Sequence, residues 1–123
     1  MSELRATTVS NLAGTGPVEL TGQSAAKAFS TINYTAGVPA LSKNFNISSI
    51  TDAGTGQVTH SFGNNFSDAN YAVTMCSRTS VANRYANVND TSAPTTSSFV
   101  GLSVATTGAV DDDFYTSVFG DLA

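Results

Sequence analysis

The chain of 123 residues has no tryptophan, a single cysteine, a single histidine, and only five cations against nine carboxylates. Each shortage removes a class of function. Cys76 has no second cysteine to pair with in the chain, so no disulfide scaffold holds the fold, and this usage fits synthesis in a reducing cytosol. His60 stands alone, which excludes a metal site built on several imidazoles. The cations are Arg5, Lys27, Lys43, Arg78 and Arg84, and the formal net charge is -4. No basic stripe is there to neutralise a phosphate backbone, so nucleic acid is not an expected partner. A membrane is not expected either: no apolar run reaches the roughly 18 residues a spanning helix needs. Met1–Val9 carries Glu3 and Arg5 and lacks the apolar stretch of a secretory signal.

What fills the chain instead is hydroxyl and amide. Charged residues make up 11% of the sequence, while Ser and Thr occupy 33 positions. Strong helix formers such as Glu and Lys occur twice each. That composition favours strands and turns over helices, and the length suits one domain with a core of its own.

Period-2 alternation between turn signals recurs from Ala28 onward. Ala28, Ser30, Ile32 and Tyr34 share one face of a first strand that ends at Gly37 and Pro39. Phe45, Ile47 and Ile50 lead into Asp52-Ala53-Gly54-Thr55-Gly56, after which Val58, His60 and Phe62 alternate; this is a hairpin with a glycine-containing loop. Tyr71, Val73 and Met75 alternate after the turn Asp68-Ala69-Asn70, and Val100, Leu102 and Val104 form another set. Phe114–Phe119 makes the last strand. The polar stretch Thr79–Ser98 reads as a long loop or an irregular edge. About six short strands at this spacing predict an all-β protein, an antiparallel β-sandwich or jelly-roll-like module over residues 28–123. Residues 1–27, with Gly14, Gly16 and Pro17 breaking any regular element, predict an extended N-terminal arm for attachment or subunit exchange. A single helical turn around Gln23–Ala28, capped by Ser24, is compatible with that arm.

Three runs occur in a known order: Ser24-Ala25-Ala26-Lys27-Ala28-Phe29, then Phe45-Asn46-Ile47 through Gly56, then Phe66-Ser67-Asp68-Ala69-Asn70-Tyr71-Ala72-Val73. Together with the lead-ins Leu4–Val9 and Gly14–Val18, they resemble a β-rich module of tailed-bacteriophage virion proteins. That module is common in phages of marine bacteria and cyanobacteria, where it is labelled tail fibre or head fibre. The likeness covers about residues 4–76. Members commonly carry Trp-Val-Asn-Phe after the Lys-Ala pair, where this chain has Phe29-Ser30-Thr31-Ile32. The resemblance implies a structural or adhesive role on a virion, assembled in the host bacterial cytoplasm, with no catalytic residue and no cofactor.

The chemistry-bearing residues give little against that implication. His60, in phase with Val58 and Phe62, reads as a half-buried sheet histidine with one hydrogen-bonding partner. Cys76 reads as a small buried thiol, although a Cys76–His60 nucleophile and base pair meeting across strands is a conceivable alternative. Asp111-Asp112-Asp113 reads as a solvated loop; a calcium site there needs further oxygen ligands, and the spacing is not that of an EF-hand. Asp52–Gly56 lacks the lysine of a phosphate-binding loop, and the sequons at Asn33, Asn46, Asn65 and Asn89 follow from composition.

For partner contact, Val9, Leu12, Val18 and Leu20 are the apolar positions of the arm. Arg84 and Tyr85 are the residue types that dominate interface hot spots. Tyr85 equally suits a loop anchor. The expected protein is a non-enzymatic capsid decoration, cement or head-fibre protein that contacts the major capsid protein or another virion protein. A tail-fibre or receptor-binding knob is the alternative, and a carbohydrate-binding module touching a host surface glycan is the third. Edge strands beside an arm, together with the resemblance to trimeric fibres, lead to an expected homotrimer.

Overall fold

The structure is a computed structural model that describes residues 25–123. Val9, Leu12, Val18 and Leu20 lie outside the described residues, as does most of the expected arm. Residues 25–27 are not helical, so the expected turn at Gln23–Ala28 does not form there. Lys27 N instead donates to Val118 O at 2.8 Å, which extends strand pairing one residue before Ala28.

Nine strands follow: β1 Ala28–Thr35, β2 Val38–Phe45, β3 Ile47–Gly54, β4 Gln57–Phe62, β5 Ala72–Ser77, β6 Arg84–Val88, β7 Ser98–Ala105, β8 Gly108–Ala109 and β9 Phe114–Phe119. They build two antiparallel sheets, one ordered β2-β1-β9-β5 and one ordered β3-β4-β7-β6 with β8 paired to β7. The chain is therefore an all-β sandwich. Its inner faces follow from the alternation: Ala28, Ser30 and Ile32 of β1, Val58, His60 and Phe62 of β4, and Phe114, Thr116 and Val118 of β9 are all buried.

Two apolar clusters fill the space between the sheets. One gathers Phe62, Phe66 and Phe99 with Ile47 and Val118, and Tyr71 packs against it. Phe62 and Phe66 lie 4.7 Å apart in tilted geometry, and Tyr71 meets Phe62 edge-on at 5.4 Å. The Tyr71 hydroxyl donates toward Thr95 O and Ser98 O, each 2.9 Å away, so its polar end is satisfied at the rim. The second cluster is Ile32, Val58 and Phe114. Each buried phenyl ring contributes about 1.5–3 kcal/mol of transfer free energy, so the Phe side chains dominate the core.

Three strands go beyond the sequence reading: β2, β6 and the two-residue β8. β2 begins after a two-residue hairpin turn, Ala36-Gly37, both at positive φ (51° and 81°). That is the geometry of a type I′ turn, whose usual signal is Asn-Gly rather than Ala-Gly. Further along β2 the register shifts between Thr31 and Ile32, which sets Ser42 out of pairing and breaks the alternation. β6 lies inside the stretch read as a long loop or an irregular edge, and it is the edge strand of its sheet. It pairs with β7 from Arg84↔Ala105 to Val88↔Gly101.

The alternating set Val100, Leu102 and Val104 has the opposite phase to the one its hydropathy suggests. Phe99, Gly101, Ser103 and Ala105 face the core, and the Val-Leu-Val set faces outward, half-buried. Inward space is the reason. A Cβ at Gly101 would stand 2.9 Å from Met75 Cε, 3.2 Å from His60 Cε1 and 3.3 Å from a Phe114 ring carbon. Only a glycine lets β7 approach those three side chains.

Candidate interaction faces

His60 sits on the inner face of β4 and is fully buried, more so than the half-buried position its sequence suggests. Its ring stacks on Phe99 at 4.5 Å with an interplanar angle of 4° and tilts against Phe114 at 5.9 Å. Nδ1 lies 3.1 Å from Val58 O, which fixes Nδ1 as the protonated nitrogen. Nε2 is then a bare acceptor with no protein partner. Burial drives the imidazole pKa down to about 4, opposed in part by the Val58 carbonyl.

Cys76 is on the other side of the four-stranded sheet, exposed on β5, so the expected buried thiol is corrected. The strand places it outward because Val73 and Met75 take the inward positions. The sheet separates it from His60, and the two do not meet as a nucleophile and base.

Asp111, Asp112 and Asp113 are half-buried and engaged, not a free solvated loop. Asp111 Oδ1 accepts from Gly56 N at 2.6 Å and thereby holds the β3–β4 turn. Asp113 Oδ1 accepts from Tyr34 N at 2.7 Å, and its Oδ2 is 3.9 Å from Arg78 Nη1. Asp112 Oδ2 stands 3.0 Å from Arg84 Nε, an ion pair whose approach is out of line for a hydrogen bond. Adjacent carboxylates thus point to three different strand ends, and this divergence separates the charges that would otherwise repel. Among the described residues no group of three His, Cys, Asp or Glu is arranged to hold a metal ion. Tyr34 is close by, and its hydroxyl, buried without a protein partner, titrates above its ordinary value. Burial is the main cause, with Asp111 and Asp52 adding to it.

Arg84 and Tyr85 are neighbours on β6 and so point to opposite faces. Arg84 turns inward to Asp112 and is not free to lead an interface. Tyr85 points outward and is 56% exposed, so it does not anchor the segment to the core. Its register partner on β7 is Val104, which joins it to the outward set Val100 and Leu102. That is one open face.

The other open face belongs to β2-β1-β9-β5, and sequence reasoning missed it because its members lie far apart in the chain. Phe45 opposes Phe29, with rings stacked at 6.1 Å, and Thr31 stands between Lys43 and Tyr115. Phe45 is 54% exposed and Tyr115 42%. Arg78 reaches from the end of β5 across β9, its guanidinium 5.9 Å from the Tyr115 ring centroid, and Nη1 donates to Asn33 Oδ1 on β1 at 3.1 Å. The outward period-2 phase of four strands, read together, is the only sequence signal for this face. No known protein family, no curated protein and no solved structure matches this chain.

Proposed function

We propose that the chain is a non-enzymatic bacteriophage virion structural protein, carried in many copies on the particle exterior as a capsid decoration, cement or head-fibre protein, and associating with itself as a homotrimer. The observation that carries the reading is how the side chains are allotted. Apart from the exposed thiol of Cys76, the groups with chemistry to offer are committed to the fold: His60 is stacked inside the core, and Asp111, Asp112 and Asp113 fasten strand ends. The exposed aromatics Phe45, Tyr115 and Tyr85 stand instead on two broad sheet faces. Flat faces with exposed aromatics and hydroxyls suit contact with other proteins. The sequence resemblance to phage fibre modules supplies the particle.

Quantitative mass spectrometry of purified virions tests the proposal. Copies on the order of hundreds per particle, as icosahedral symmetry demands of a capsid component, agree with decoration. A dozen or so copies assign the chain to the tail, and absence from virions refutes the reading.

A further inference from the structure

The outer face of the β3-β4-β7-β6 sheet carries no charge among the described residues. Val100, Leu102 and Val104 run down its middle on β7, with Thr59 of β4 opposite Val100 and Tyr85 of β6 opposite Val104. The two charged residues within these strands both take the inward phase: Asp52 pairs with buried Val58, and Arg84 turns in to Asp112. The other outer face differs, because Lys43 stands beside outward Thr31 and Arg78 lies over Tyr115. Residues 25–123 hold four cations and seven aspartates, or -3. Two copies therefore repel each other at long range, and they approach at least cost through surface that bears no charge. The row through Val104 is also graded in size. β6 and β8 flank β7 on opposite edges there, so exposed Tyr85 ends the row on one side and exposed Ala109 ends it on the other.

We propose that this uncharged face packs against the same face of a second copy of the chain, about a two-fold axis that runs along the strands between β4 and β7. Such an axis exchanges the two ends of each row. It lays the Tyr85 ring of one copy over Ala109 of the other, large against small, and brings the two Val100–Val104 stripes together between the sheets. The two Thr59 side chains come side by side next to the axis. Because both partners use the same surface, the contact closes at two copies and does not grow into a fibre. Four strands at about 4.8 Å each and roughly six residues at about 3.3 Å each give a face of about 19 by 20 Å. That size belongs to the low end of specific interfaces, so the pair is a reversible one. This interface is distinct from the homotrimer in the proposed function, and each stands without the other.

Sedimentation equilibrium of the full chain, from micromolar to submillimolar concentration, tests it. A dimer is expected, or a hexamer where the homotrimer also forms. Association is expected to strengthen as salt rises, because the contact has only net repulsion to screen. Thr59→Asp sets two like charges together at the axis and is expected to weaken the pairing by about tenfold or more, as is Thr59→Lys, while mixing the two variants is expected to restore it. Tyr85→Ala, at an exposed site, is expected to weaken it by about tenfold. Circular dichroism checks that each variant keeps the parent fold, and where a Thr59 variant loses it, Tyr85→Ala alone carries the test. A wild-type chain that forms a trimer and nothing larger overturns this contact and leaves the homotrimer standing, whereas a monomer throughout overturns both. An even-numbered oligomer that survives in Thr59→Asp and Tyr85→Ala, that weakens as salt rises, or that fails to recover when the Thr59 variants are mixed, overturns this face.

Discussion

His60 makes stability depend on pH in a window where few other groups titrate. In the unfolded chain an imidazole has a pKa near 6.5, whereas in the fold burial holds it at about 4. Between those values the unfolded chain binds a proton that the folded chain refuses, so stability is complete above pH 6.5 and falls as pH drops toward 4. Relative to neutral pH, the loss is about 2 kcal/mol at pH 5 and approaches about 3 kcal/mol near pH 4. Urea unfolding at a series of pH values, followed by circular dichroism, reads this directly. The comparison is His60→Leu, which keeps nearly the same volume. It removes the donor to Val58 O and also the unpartnered Nε2. These two changes oppose each other, so at pH 7 the variant is expected within about 1 kcal/mol of the parent. At pH 5 it is expected to be the more stable of the two by about 2 kcal/mol relative to that offset, since carboxylate titrations are common to both proteins. Parallel pH profiles for parent and variant between pH 7 and 5 refute the argument, because they mean that the ring is protonated as easily inside the sandwich as outside it.

Ala36 sits at φ 51° in a turn position that suits Asn, so Ala36→Asn is expected to raise stability by about 0.5–1 kcal/mol in thermal melting. Gly56→Ala is expected to cost about 3 kcal/mol or more in the same assay. It places a Cβ 2.5 Å from Ser103 O and 2.6 Å from Val110 O at a φ of +67°. Cys76→Ser, at an exposed outward site, is expected to change Tm little, by less than about 0.5 kcal/mol in stability.

The class of fold and most strand positions were legible because β1, β4 and β9 bury every second residue, with polar residues at all the intervening positions of β4 and at most of those of β1 and β9. β2 was not, because Pro39, an unpaired Ser42 and the polar run Ser42-Lys43-Asn44 hide its alternation, and its turn lacks the usual residue pair. In β6 the inward positions are Arg84, Ala86 and Val88, only one of which is a large apolar residue. β7 misleads by hydropathy: Gly101 is inward because Met75, His60 and Phe114 crowd the space in front of it, and that is a property of three other strands. The same limit applies to the aspartates. Their run is visible in the sequence, but their partners Gly56 and Tyr34 are 55 and 79 residues away. Arg84 and Tyr85, nominated together, are divided by the pleat, one serving an ion pair and the other an open face.

The strand order also governs when the protein can become itself during synthesis. β3 and β4 are neighbours in sequence and in space, and so are β1 and β2, so two hairpins are available early. The four-stranded sheet, however, joins β1 to β5 only through β9, with Ala28 against Val118 and Val73 against the same residue. Until β9 leaves the ribosome, β1 has one unpaired edge and β5 has no partner strand at all, and the Ile32–Val58–Phe114 cluster lacks its phenyl ring. Sequence separations this large make for slow closure. A nascent chain with open β edges is also the form most exposed to pairing with the wrong neighbour. The sandwich thus forms late and as a whole, with Phe114–Phe119 as the strand that seals it.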